Sequence, residues 1–136
     1  MTLHKRIRDW MEIPARFPCG GRNSIADVKG VLVGHHTIIN DPVCTGVTII
    51  KPHALDPYCY PTPCAVHAGN GFGKLAGSLQ VQELGCIESL IGLTNTLSVA
   101  QVLQGIIEYQ ACRLSERDWN RNRSNTTAFI WKVFTK

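Results

Sequence analysis

At 136 residues, with 44% hydrophobic and 18% charged positions, the chain has the size and make-up of one globular domain. Its net charge of +4 is uneven: Met1 to Gln110 carries eight Lys/Arg against eight Asp/Glu, and Ala111 to Lys136 carries six against two. No apolar run follows Lys5, Arg6 and Arg8 as a signal peptide requires, and none approaches the ~20 residues of a membrane helix, so a cytoplasmic location is expected.

In chain order, His4 to Glu12 reads as a short helix with Ile7 and Trp10 or Met11 on one side, ending before Pro14. Pro14, Pro18 and Gly20-Gly21 form a loop. Val28 to Ile38 is apolar and β-branched, a strand interrupted by Gly30 and Gly34. Val43 to Ile50 is a second strand, and Gly46 inside it marks a bulge or the close approach of another backbone. Lys51 to Pro63 is a loop, because Pro52, Pro57, Pro61 and Pro63 forbid regular structure. Cys64 to His67 is a short strand, Lys74 to Leu84 a helix with Leu75, Leu79 and Leu84 inward, and Ser89 to Leu93 a short buried strand.

The clearest pattern follows. Val99, Val102, Leu103, Ile106 and Ile107 fall at i, i+3, i+4, i+7 and i+8, one apolar stripe of a helix, with Ser98 and Gln101 spaced as a capping box. Burying that stripe is worth roughly 1.5 to 3 kcal/mol per side chain, and it needs a sheet to lie on. The strands supply one, so the periodicity by itself is consistent with an α/β layered domain.

Four ordered blocks carry a resemblance. They are Asn23-Ser24-Ile25-Ala26-Asp27-Val28-Lys29-Gly30-Val31-Leu32-Val33-Gly34-His35, then Gly46-Val47-Thr48-Ile49-Ile50, then Gly69-Asn70-Gly71-Phe72-Gly73-Lys74-Leu75-Ala76-Gly77. The last joins Glu83-Leu84-Gly85-Cys86-Ile87-Glu88 to Ile91-Gly92-Leu93-Thr94-Asn95-Thr96-Leu97-Ser98-Val99. Over roughly Asn23 to Tyr109 the chain resembles the DmpA-type aminopeptidases: the L-aminopeptidase/D-Ala-esterase/amidases and the β-peptidyl aminopeptidases.

The resemblance implies the N-terminal portion of a layered αββα sandwich of the DmpA and ornithine acetyltransferase type. It also implies a precursor that cuts its own backbone to free an N-terminal nucleophile, activated by its own amine. The implied reaction is release of N-terminal residues from peptides, amides or esters, by an enzyme assembled as a homo-oligomer.

Three regions are therefore expected: 1–22 as an extension, 23–110 as a partial hydrolase domain, and 111–136 as a divergent basic tail. That tail, ACRLSERDWNRNRSNTTAFIWKVFTK, holds serines and threonines in no recognisable self-cleavage context. No oxyanion Asn is identified either. The chain thus reads as a truncated first part of such a precursor, inactive alone. A basic end also suggests nucleic acid or membrane contact. Its sparse apolar interleaving favours a poorly ordered tail, so neither partner is expected.

The candidate substrate-binding residues are Asn70, Gly71, Gly73, Lys74, Thr94, Asn95 and Thr96. The glycines suit a pocket wall that presents backbone N–H groups, or a tight turn needing glycine for geometry alone. Lys74 stands where some family members carry an acidic residue. It would repel a substrate's ammonium group, mark a subgroup with different substrates, or point to solvent. Thr94, Asn95 and Thr96 lie where a strand end meets a helix start; capping by Thr96 or Ser98 and a turn at Asn95 explain them equally well.

Cys59, Cys64, His53 and His67 lack zinc-site spacing, His67 reads as a core or interface residue, and neither metal nor cofactor is expected. Ser24, Asp27 and His35 are near in sequence with nothing to place them as a triad. The six cysteines read as free, mostly buried thiols. Two rival readings remain. One is a non-catalytic interaction or structural domain, since a truncated sheet exposes an edge and an apolar face. The other is a fragment of a related acyltransferase.

Overall fold

The structure, a computed structural model, describes residues 9–12, 14, 16–115 and 132–135. The helix expected over His4–Glu12 lies largely outside them; of its described residues Asp9 is in a 3-10 turn, and Trp10 and Met11 form a turn and a bend. The loop that follows closes on Asp27. Its carboxylate accepts from Arg22 N at 3.1 Å and Ser24 N at 3.2 Å, while Ser24 Oγ accepts from Ala26 N at 3.0 Å. Together these cap a 3-10 turn over Ile25–Asp27.

Strand β1 spans Leu32–Asn40 and strand β2 Val43–Lys51. The expected start of β1 at Val28 is corrected: Val28 N and Val31 N bond back to Ile25 O and Val28 O at 3.1 Å, so these residues turn first. A two-residue turn, Asp41-Pro42 with a cis peptide bond, joins the strands into an antiparallel hairpin. The register runs unbroken from Leu32↔Lys51 to Asn40↔Val43, so Gly46 makes no bulge. It marks a close approach instead: a Cβ there would stand 2.7 Å from the His36 carbonyl oxygen.

The short strand expected at Cys64–His67 lies two residues earlier. Strand β3, Thr62–Pro63, pairs with strand β4, Cys86–Ile87. His67 falls in irregular, exposed chain rather than in a core. Helix α1 spans only Ser78–Leu84, bracketed by Gly77 at φ 76° and Gly85 at φ 65°. Both are left-handed, and Gly85 N closes the helix on Val81 O at 2.8 Å. A helix of two turns has few inward positions, and Val81 takes one with 1% exposure. Leu79 and Leu84, expected inward, are exposed.

Strand β5, Ile91–Thr94, runs antiparallel to β2, and helix α2 spans Val99–Ser115. Strand β6, Lys132–Thr135, runs parallel to β5, giving the sheet order β1-β2-β5-β6. The helix passes through Gln110 and Ala111, where sequence composition changes, without a break. All five stripe residues of α2 are buried or half-buried. Ile106 and Leu90 form the centre of the core, with Ile49, Val102, Leu103 and Ile107 packed around them.

The α/β layering is thus as expected: one helix layer lies on one sheet. A Cβ at Gly92 would stand 2.9 Å from Val102 Cγ1 and 3.0 Å from Ile106 Cδ1, so this glycine lets the helix sit directly on β5. Strand alternation then places Gly34, Val47, Ile49, Gly92 and Thr94 toward α2. Val33, His35, Thr37, Ile39, Cys44, Thr48, Ile50, Ile91 and Leu93 take the opposite face. Apolar residues on both faces are the pattern of a sheet built for cover on two sides. None of the six cysteines is in a disulfide, and none is buried: Cys64 and Cys86 are half-buried and the others exposed, on loops, at the hairpin turn and at the end of α2.

Candidate functional site

The end of β5 is where the sequence pattern and the geometry converge. Thr94 is 6% exposed and donates to Gly46 O at 3.1 Å, tying β5 to β2 beyond the backbone ladder. Asn95 follows in extended conformation and does two jobs. Its Oδ1 accepts from Leu97 N and Ser98 N, both at 3.0 Å, and so caps a 3-10 turn, Thr96–Ser98, that runs into α2. Its Nδ2 donates to Thr45 Oγ1 at 2.6 Å.

The capping box expected at Ser98 and Gln101 is therefore corrected. Ser98 lies inside the turn, and its own N–H is one that Asn95 satisfies. Replacing Asn95 by Ala removes the cap and the link to β2, a loss of about 2 kcal/mol. Thr45→Val removes only the link, about 1 kcal/mol. In urea melts the double variant is expected to be no less stable than Asn95→Ala alone, which makes the coupling visible.

Beside these residues opens a cavity of about 610 Å³, lined by His35, Thr37, Cys44, Thr45, Thr48, Leu93, Thr94 and Asn95 among others. Most of its wall is the sheet face opposite α2. His35 Nδ1 and Thr48 Oγ1 are hydrogen-bonded there at 2.9 Å, across the hairpin. Sequence reasoning missed this pair. The two residues are thirteen apart, and only the register of β1 on β2 reveals that they meet.

The other candidates are placed elsewhere. Asn70 Oδ1 accepts from Phe72 N at 3.0 Å, folding the glycine run into an Asx turn on the surface. Gly71 has open space where a Cβ would stand, and Gly73, Lys74 and Thr96 are exposed. None of Asn70, Gly71, Gly73, Lys74 and Thr96 lines the cavity, whereas Thr94 and Asn95 do. Ser24 and Asp27 are occupied in their capped turn and His35 with Thr48, so no triad forms among them. His53 Nε2 bonds to Tyr60 O at 2.7 Å, and among the described residues no three His, Cys, Asp or Glu side chains gather as metal ligands.

Comparison with known proteins places this geometry. The family model of peptidase family S58 matches residues 23–133. The chain is 35% identical over 127 residues to the β-peptidyl aminopeptidase BapA of Sphingosinicella xenopeptidilytica, covering 82% of this chain and 29% of that protein. It is 30% identical over 115 residues to the BapA of Sphingosinicella microcystinivorans, covering 78% and 28%.

Among solved structures, the PH0078 protein of Pyrococcus horikoshii OT3 superimposes with a TM-score of 0.78 at 38% identity, over 93% of this chain and 36% of that one. A β-aminopeptidase of Burkholderia sp. also gives 0.78, at 30% identity over 97% and 36%. The L-aminopeptidase D-Ala-esterase/amidase of Ochrobactrum anthropi, described as a variant of the Ntn hydrolase fold, gives 0.75 at 25% identity over 96% and 37%. The chain thus spans under a third of the length of the curated relatives it matches.

Proposed function

We propose that this chain, which belongs to peptidase family S58, is the N-terminal segment of a self-processing aminopeptidase that releases N-terminal residues from peptides, amides or esters. The observation that carries this reading is the cavity at the end of β5, where Thr94 and Asn95 put polar groups at the meeting point of strand and helix. Strand ends of this kind are where layered α/β proteins hold ligands, with amide and hydroxyl donors fixing orientation.

In this reading the chain supplies scaffold and one wall of the substrate site. The nucleophile, and the donors that hold the tetrahedral intermediate, come from outside residues 9–115. Asn95 is a positioning residue: by fixing the start of α2 against β2 it sets the shape of the wall. The surface turn at Asn70, Gly71, Gly73 and Lys74, together with Thr96, would meet substrate only in company with further segments. Both curated relatives are named β-peptidyl aminopeptidases, which favours β-residues among the accepted substrates.

Two measurements on the chain separate the parts of this reading. With L-, D- and β-aminoacyl p-nitroanilides, no release of p-nitroaniline above a buffer control is expected; turnover by the chain alone would overturn its assignment as a non-catalytic segment. Titration of the isotope-labelled chain with β-alanyl dipeptides is expected to shift the backbone amides of His35, Thr48, Thr94 and Asn95. Absence of shifts at saturating peptide would remove the substrate-wall assignment and leave the family scaffold alone.

A further inference from the structure

Strand β1 is the outer strand of the four-stranded sheet, and no described residue pairs with its free edge. Free edges in proteins are usually blocked by a lysine, a proline or a bulge, which prevents another chain from adding to the sheet. This edge has none of them. Its nine residues read LVGHHTIIN, and their register on β2 is continuous. Ile39 is 80% exposed and Ile38 47% exposed.

We infer that this edge pairs with the same edge of a second copy of the chain, antiparallel, with the two-fold axis at His36. The self-complementarity of the strand argues for that partner. Centring on His36 pairs all nine residues and sets Gly34 opposite Ile38, Val33 opposite Ile39, His35 opposite Thr37 and Leu32 opposite Asn40. The strand contains no Lys, Arg, Asp or Glu, so no like charges oppose one another across the axis. A shift of the axis by one residue leaves two residues of each strand unpaired.

The fit at Gly34 is specific. Nothing lies within 4 Å of where its Cβ would stand. The same glycine lines an apolar cavity of about 590 Å³ between α2 and the β1–β2 hairpin. Directly opposed residues of an antiparallel pair point to one face. The Ile38 side chain of the second copy therefore enters the open position at Gly34, on the side where α2 lies, and covers the mouth of that cavity. The two-fold repeats this contact, and two four-stranded sheets become one continuous sheet. The inference does not depend on the hydrolase reading.

Sedimentation equilibrium on the 136-residue chain tests it, with an expected mass of twice the 15.0 kDa of the chain. Ile38→Lys drives a charge into the apolar cavity mouth and is expected to weaken association by at least roughly tenfold, with an unchanged far-UV spectrum. Ile25→Lys, exposed and away from β1, is expected to leave association as it is. A monomer at every concentration, a polydisperse series, or a dimer indifferent to Ile38→Lys overturns the inference. If Ile38→Lys does not fold, amide exchange on the unsubstituted chain decides. The alternate amides of β1 that point away from β2 must exchange more slowly as concentration rises, and exchange of these amides independent of concentration overturns the pairing.

Discussion

Ile106→Ala is expected to lower the stability of the fold by about 3 kcal/mol, within the 2–5 kcal/mol typical of such truncations. Ile106 is 3% exposed and sits at the centre of the only cluster that joins α2 to the sheet among the described residues. The residue beneath it is Gly92, which has no side chain to move into the space left behind. Leu90 and Ile49 would lose their packing partner together. A domain of this size has roughly 5–15 kcal/mol in total, so the loss is a large share of what holds it folded. A urea titration reads it as a lower midpoint with an unchanged slope. Leu97→Ala is the control: Leu97 is exposed beside the same helix start, and its truncation is expected to stay within about 0.5 kcal/mol.

The same substitution, glycine to alanine, is expected to act with opposite sign at two positions. At Gly46 the new Cβ would stand 2.7 Å from His36 O and 3.4 Å from Thr37 Cα. These are backbone atoms of a neighbouring strand, so relief requires the hairpin to separate locally, and the cost is about 1–3 kcal/mol. The displacement would also disturb the His35–Thr48 contact two residue pairs along the ladder. At Gly105, in the middle of α2, nothing lies within 4 Å of the new Cβ. There alanine removes the entropic penalty of a helical glycine and is expected to add about 0.5–1 kcal/mol. Thermal melts of the two variants, bracketing the parent, check the pair. Equal shifts in one direction would show that close approach at Gly46 is not what selects glycine.

Features with a strong local period were legible in the sequence. The stripe Val99, Val102, Leu103, Ile106 and Ile107 announced α2 and its buried face, and the β-branched runs announced two strands, though not their pairing. The family resemblance, carried by short ordered blocks, was legible for the same reason: it rests on residue identity along the chain. The end of helix α1 at Leu84 was read correctly, but its start was placed four residues early because Lys74 and Leu75 fitted a helical spacing that the left-handed Gly77 cuts short. The cap was assigned to Ser98 because a capping box is a local signature. The actual cap, Asn95, also serves a distant strand, and its neighbour in space is fifty residues away.

The site shows the same division. Thr94 and Asn95 could be singled out because they sit at a strand-to-helix junction, a place the chain marks with polar residues. His35 and Thr48 carried no such mark. Each is an ordinary strand residue until the hairpin sets it opposite the other. The burial expected of the cysteines failed for a related reason: thiol burial depends on which layers meet, and spacing along the chain does not encode that.

A single carboxamide at position 95 fastens the first turn of one helix, the tip of one strand and the hydroxyl of another. Three pieces of backbone riveted at one point cannot shift independently. That corner of the cavity is accordingly rigid, and in the proposed reading a rigid rim would sort substrates by turning away those of the wrong shape, not by yielding to them.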